Sequence, residues 1–303
     1  MSAQPAIRRP RRWGRVLTAM VTPFDRDSRL DLDAAQRLAK WLAERGSDAL
    51  VLAATTGEAP TLADGERADL VRAVSQAVTI PVIAGTGTND TAHTVALTRD
   101  AKSWGAAGVM LVSPYYNRPP QAGIEAHFRA AAAATDLPVM LYDVPLRTGR
   151  RIARDVLVRL FHEVPNIVAF KDATGDPPAA AALVAQAGEH FDLYAGDDSY
   201  ALPLAAVGAV GLVGTNTHWT GPHFQRMFAA LERGDLQEAM RINGHLQESF
   251  EFSNSDTNVF SMSVKAMLRA VGMDVGDCRL PLPPAPSEVV ERAKGVWKRL
   301  KQP

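Results

Sequence analysis

Short apolar runs rich in Val, Ile and Leu alternate with longer amphipathic stretches through the first three-quarters of the chain. Eight of these runs read as strands: "VLTAMV" (16–21), "ALVLAA" (49–54), "IPVIAG" (80–85), "GVMLVS" (108–113), "PVMLYD" (138–143), "NIVAFK" (166–171), "FDLYAG" (191–196) and "VGLVGT" (210–215). The stretches between them carry helix signals. In "DLDAAQRLAKWLAERG", Asp31 suits the N-cap and Gly46 the stop; in "TLADGERADLVRAVSQA", Thr61 is the expected N-cap. Strand and helix in strict alternation mean parallel strands joined by crossovers. Eight units at a spacing of about 25 to 30 residues predict a closed α/β (β/α)8 TIM barrel. An open doubly wound sheet shares the periodicity and is the alternative.

After Gly234 the strand pattern stops, and "DLQEAMRINGHLQESFEF", "TNVFSMSVKAMLRAVG" and "SEVVERAKGVWKRL" read as helices. The prolines of "LPLPPAP" (280–286) make a stiff connector among them. The expected organisation is a basic N-terminal tail over 1–14, a barrel over 15–234 and a C-terminal helical region over 235–303.

Composition changes this picture little. The 303 residues are 47% hydrophobic and 22% charged with zero formal net charge, which fits a globular protein and gives no electrostatic footprint for nucleic acid. The one local excess, "RRPRRWGR" with Arg8, Arg9, Arg11, Arg12 and Arg15, reads as a solvated tail. The apolar run behind it is too short for a signal peptide or for a membrane span of about 20 residues. Cys278 is the only cysteine, so neither an intrachain disulfide nor a Cys-rich zinc site is available, and a reducing cytoplasm is the expected location.

In a barrel of this kind the reactive groups lie at the carboxyl ends of the strands. Those ends carry "TPF" (22–24), "TTGE" (55–58), "GTGTN" (85–89), "PYYNRP" (114–119), "YDVPLRTG" (142–149), "KDATG" (171–175), "GDDS" (196–199) and "GTNT" (214–217). Lys171 is the one lysine that ends a strand; Lys40, Lys102, Lys265, Lys294, Lys298 and Lys301 fall in helical stretches or the tail. Strict alternation puts Ile167, Ala169 and Lys171 on one face. In an apolar barrel mouth, desolvation lowers a lysine pKa and yields a neutral amine able to attack a carbonyl. Pairing with Asp172 is the competing structural role.

Tyr142, ending the preceding strand, is placed to move protons beside that amine, or is an ordinary strand-end tyrosine. Thr55 and Thr56 offer hydroxyls and backbone N–H groups to a carboxylate, or serve the turn itself. Arg147 is able to hold a second carboxylate bidentately, or is a surface residue. The histidines are scattered, and "HWTGPH" (218–223) lacks the spacing of a helical zinc site, so no metal is expected. Asp197 and Asp198 are expected to cap the following helix. No phosphate-binding or dinucleotide-binding glycine motif is present.

Taken together, "TPF", "TTGE", "AGTGTN", "PYYNRPP", "YDVPLRTG", "FKDATG" and "GDD", in this order and spacing, resemble the pyruvate-dependent class I aldolases typified by dihydrodipicolinate synthase and N-acetylneuraminate lyase. The resemblance runs from about residue 15 to 290. It implies a (β/α)8 barrel with a helical C-terminal region, usually a homotetramer built from two tight dimers. It also implies that Lys171 forms an imine with pyruvate, with no metal or organic cofactor, and that Tyr142 transfers protons in a relay with Thr55 and Tyr116. Tyr116, the second tyrosine of "PYYN", would reach across the tight dimer. Thr56 would hold the pyruvate carboxylate, Arg147 the carboxylate of aspartate semialdehyde, and Gly196 and Val213 would contact pyruvate or the lysine region through backbone.

"TTGE", the "YY" pair and "LRTG" resemble the synthase branch, which condenses pyruvate with L-aspartate 4-semialdehyde to 4-hydroxy-tetrahydrodipicolinate. The alternatives are a related pyruvate aldolase acting on a 2-keto-3-deoxy sugar acid, and a non-catalytic pyruvate-binding barrel. Departures from the pattern are Ala54 before "TTGE" in place of glycine, Gly214 where serine is common, and the segments "TNTHWTG" and "FSNSDTNVFSMS". In lysine-inhibited relatives a glutamate stands at the position of His93 and a histidine at that of Arg67. Feedback by lysine is therefore expected to be weak or absent.

Overall fold

The computed structural model describes residues 7–8, 12–188, 191–253 and 259–301. Eight parallel strands close in sequence order, with the eighth pairing back to the first. They are β1 (Val16–Ala19), β2 (Ala49–Leu52), β3 (Val82–Gly85), β4 (Gly108–Val112), β5 (Val139–Asp143), β6 (Ile167–Asp172), β7 (Asp192–Ala195) and β8 (Gly211–Gly214). Each lies within a residue or two of an apolar run, and the open-sheet alternative is excluded.

The crossovers hold α1 (Leu32–Glu44), α2 (Asp64–Ala77), α3 (Thr91–Asp100), α4 (Gln121–Ala132), the short α5 (Pro145–Thr148), α6 (Arg154–Glu163), α7 (Pro177–Ala187) and α8 (Ala201–Ala206). α9 (Thr217–Glu232) follows β8, and α10 (Leu236–His245), α11 (Gln247–Ser253), α12 (Phe260–Ala270) and α13 (Ser287–Leu300) form the C-terminal region. Asp31 accepts the Ala34 N–H at the start of α1 as expected. α2 differs: Thr61 sits in a preceding 3-10 turn, and the N-cap is Ala63, whose N–H is taken by Glu66.

Strand alternation separates two apolar layers. Leu17, Val51, Ile83, Met110, Met140 and Val213 fill the barrel interior, whereas Leu50, Leu111, Phe128 and Phe170 pack between strands and helices. β6 breaks strict alternation. A register shift at Val139/Met140 against β6 leaves Ile167 in the outer layer while Ala169 belongs to the inner one. Ile167 therefore does not share the face of Ala169 and Lys171, because one extra residue in a strand reverses every side chain before it.

The described part of the N-terminal segment is not a solvated tail. Trp13 is buried in the barrel interior, and Ile7 is buried too. Arg8 donates to the Phe191 carbonyl, and Arg15, also buried, donates to the Val210 carbonyl and pairs with Glu232. Without periodicity to announce it, a segment that plugs the amino end of a barrel looks like a basic arm. Arg9 and Arg11, with residues 1–6, lie outside the described residues.

Candidate active site

Lys171 and Tyr142 are register partners on β6 and β5, and the amine lies 4.3 Å from the centre of the phenol ring. Each is only 4% exposed, so neither can be solvated as in water. Burial pulls the Lys171 pKa down to about 8; Asp198 and Asp197 oppose the shift, and Arg147 adds to it. Burial likewise pushes Tyr142 up to about 12, against Arg147 and a hydrogen bond with Thr55. Near neutral pH this pairs an amine that gives up its proton more readily than an ordinary lysine with a phenol that keeps its own. An amine able to attack a carbonyl and a phenol able to give a proton are held together.

A cavity of about 110 Å³ lies over them, with Thr55, Thr56, Arg147 and Gly196 among its walls. Thr55 and Thr56 come from the turn after β2, and the Thr56 hydroxyl lies 3.3 Å from that of Thr215, which follows β8. Arg147 lies in the last turn of α5, and its guanidinium lies 5.7 Å from the Phe260 ring centre at the start of α12. Gly196 follows β7 where a Cβ would lie 2.8 Å from that of Ala173, so only glycine lets the backbone approach. A second cavity, of about 220 Å³, shares Thr55, Tyr142 and Arg147 and extends to Arg67 and Tyr115.

Two expected residues stand apart. Val213 is fully buried in the barrel interior and does not line the cavity over Lys171. Tyr116 is 90% exposed, with a left-handed backbone at φ 71°, and does not line the cavities of its own chain that hold Lys171 and Tyr142. Among the described residues no three His, Cys, Asp or Glu side chains gather as metal ligands. His218 of "HWTGPH" instead joins the segments that follow β1 and β8: one ring nitrogen donates to the Thr215 carbonyl and the other accepts the Val21 N–H.

The model of the "Dihydrodipicolinate synthetase family" matches residues 12–299. The chain belongs to this family. Among its relatives, the 4-hydroxy-tetrahydrodipicolinate synthase of Moorella thermoacetica is 46% identical over 94% of this chain and 98% of its own. The 4-hydroxy-tetrahydrodipicolinate synthase 2 of Streptomyces coelicolor is 48% identical over 93% of each. Among solved structures, the dihydrodipicolinate synthase of Cyanidioschyzon merolae with lysine bound superposes with a TM-score of 0.92 at 40% identity, covering 95% of this chain and 98% of that one.

Three features of this family member were not visible in its motifs. Asp198 does not cap the helix after β7 as expected; Asp197 takes the Ser199 N–H there, and Asp198 accepts the Thr215 and Asn216 N–H groups instead. Burial raises the Asp198 pKa to about 7. Gly214 follows from this: a Cβ would lie 2.5 Å from an Asp198 carboxylate oxygen, so serine does not fit while Asp198 holds this loop. Phe260 and Thr215 line the cavity from the segments "FSNSDTNVFSMS" and "GTNT", in which neither residue stood out. Part of one of them, residues 254–258 of "FSNSDTNVFSMS", lies outside the described residues.

Proposed function

We propose that the chain is a 4-hydroxy-tetrahydrodipicolinate synthase that condenses pyruvate with L-aspartate 4-semialdehyde through an imine on Lys171. The observation that carries this reading is the Lys171–Tyr142 pair, a buried amine of lowered pKa 4.3 Å from a phenol ring, in a chain 42–48% identical to named synthases. Neutral Lys171 attacks the keto carbon of pyruvate, and the carbinolamine loses water with a proton delivered by Tyr142. Thr55, hydrogen-bonded to Tyr142, passes protons onward. The protonated imine is an electron sink, so a methyl proton leaves and an enamine forms. The enamine adds to the aldehyde, and the amino group of the second substrate attacks the imine carbon, closing the ring and freeing Lys171. Thr56 grips the pyruvate carboxylate and Arg147 that of the semialdehyde, while Gly196 and Val213 offer backbone to the lysine region. The scheme uses no metal or organic cofactor.

Tyr116 completes the relay from a second copy of the chain. Its exposure supports this, as does that of Leu146, 93% exposed on α5 beside Arg147. The assembly is a tight dimer, doubled into a tetramer. Mixed oligomers of Lys171→Ala and Tyr116→Phe subunits test it, because subunits carrying one intact composite site regain activity. A cytoplasmic setting fits the single cysteine and the absence of any described helix long and apolar enough to cross a membrane.

Turnover of aspartate semialdehyde, measured against 2-keto-3-deoxy sugar acids, tests the choice of acceptor. Cleavage of the sugar acids without turnover of the semialdehyde contradicts the synthase reading. Lysine inhibition is weak or absent: Arg67 is a buried cation donating to the Ala53 and Gly85 carbonyls, and His93 is occupied by the Asp64 carboxylate at 2.9 Å. A cation there repels an ammonium ligand. Half-inhibition by sub-millimolar L-lysine in a steady-state assay contradicts this.

A further inference from the structure

The turn after β2 carries Thr55 and Thr56 between two non-glycine residues of left-handed backbone, Ala53 at φ 51° and Glu58 at φ 57°. Side chains adopt such conformations only where their surroundings hold them. Much of what holds this turn comes from the C-terminal region. On α12, the Ser261 hydroxyl donates to the Thr56 carbonyl at 2.9 Å. One turn further, the Lys265 ammonium lies 2.8 Å from the Glu58 carboxylate, with the two side chains 2% and 1% exposed. Lys265 also donates to the Asp277 carbonyl and sits 4.4 Å from the Phe24 ring centre. The other Glu58 oxygen takes the Arg279 N–H at 2.8 Å.

None of Ser261, Lys265 or Glu58 lines the cavity over Lys171. A fully buried ion pair adds little net stability over an apolar pair, because desolvation offsets the attraction. What a buried ion pair supplies, when each partner is also hydrogen-bonded to backbone, is a single geometry. Here that geometry belongs to the turn whose threonines line the cavity that also holds Lys171.

We propose that Ser261, Lys265 and Glu58 are positioning residues for the pyruvate half of the reaction: the C-terminal region sets the Thr55–Thr56 turn, and through it the carboxylate grip and the rate of imine formation. Arg147, which faces the second substrate, lies on α5 and is not part of this clamp. The inference rests on the reading of Lys171 as the pyruvate-binding amine.

The test is steady-state kinetics of the full chain with both substrates, together with borohydride trapping by pyruvate alone. Two variants are compared with wild type: Ser261→Ala, which removes one hydrogen bond, and the double variant Glu58→Gln/Lys265→Met, which leaves no lone buried charge. In a ping-pong reaction kcat/KM for pyruvate reports imine formation, and kcat/KM for the aldehyde reports the second half. We expect kcat/KM for pyruvate and the trapping rate to fall together by about tenfold or more, as small misplacements of binding groups do. The aldehyde value, corrected for the fraction of sites trapped at saturating pyruvate, should stay within about twofold. Equal losses for both substrates, or none for pyruvate, overturn the proposal. Absence of a pyruvate adduct in the wild type would instead overturn the reading of Lys171.

Discussion

Lys171 and Lys265 are buried to nearly the same extent, 4% and 2% exposed, and both ammonium groups lie against an aromatic ring. Their fates differ because of what else is near. Lys265 has a carboxylate at 2.8 Å and a carbonyl at 2.9 Å. Lys171 feels Asp198 and Asp197 only at a distance, forms an ion pair with neither, and opens onto a cavity. Burial alone does not suit a lysine to nucleophilic attack; burial without an ion-pair partner, beside space for a carbonyl, does, and this is the basis of the role proposed for Lys171.

Replacing each lysine in turn breaks the comparison most sharply. Lys171→Met removes the proposed nucleophile and is expected to lower activity by about four orders of magnitude or more while leaving thermal stability intact or higher, since a poorly solvated ammonium is lost. Tyr142→Phe keeps the ring over the amine but removes the proton route, lowering kcat by about a hundredfold to ten-thousandfold in a steady-state assay. Lys265→Met strands the Glu58 carboxylate in the interior, and urea denaturation is expected to show a loss of about 3–5 kcal/mol.

The finer test concerns protonation. With its pKa lowered to about 8, Lys171 gains neutral form as pH rises, so trapping by pyruvate should accelerate by about tenfold per unit below pH 8 and level off above it. Asp198 is the largest electrostatic influence holding that pKa up. Asp198→Asn should therefore move the profile to lower pH, by about a unit or less. A shift to higher pH would show that the carboxylate acts on Lys171 in another way.

The barrel was legible because eight apolar runs each had to be buried on both faces, and Lys171 stood out as the one lysine ending such a run, with pairing to Asp172 as the ordinary alternative. Lys265 was not: within "SVKAMLRAVG" it reads as an ordinary helix lysine, and its partner Glu58 lies in a turn far back in the chain. Asp198 is adjacent to Asp197 and shares its capping chemistry on paper; only the approach of the loop after β8 gives it different donors. Ile167 misled because period-two alternation presumes an unbroken strand, and nothing local marks the shift in β6. Trp13 and Arg15 misled because a segment lacking periodicity carries no sign of what it will plug. Local pattern predicts elements, whereas side chains that pair across distant elements need the fold.

The most direct measurement is borohydride reduction of the wild-type chain with pyruvate between about pH 6 and pH 9, followed by peptide mass spectrometry. A pyruvate adduct on Lys171 and not on Lys265, forming faster as pH rises toward about 8, is the result that the contrast between the two lysines predicts. An adduct on Lys265, no adduct at all, or a rate that is flat across this range would contradict it.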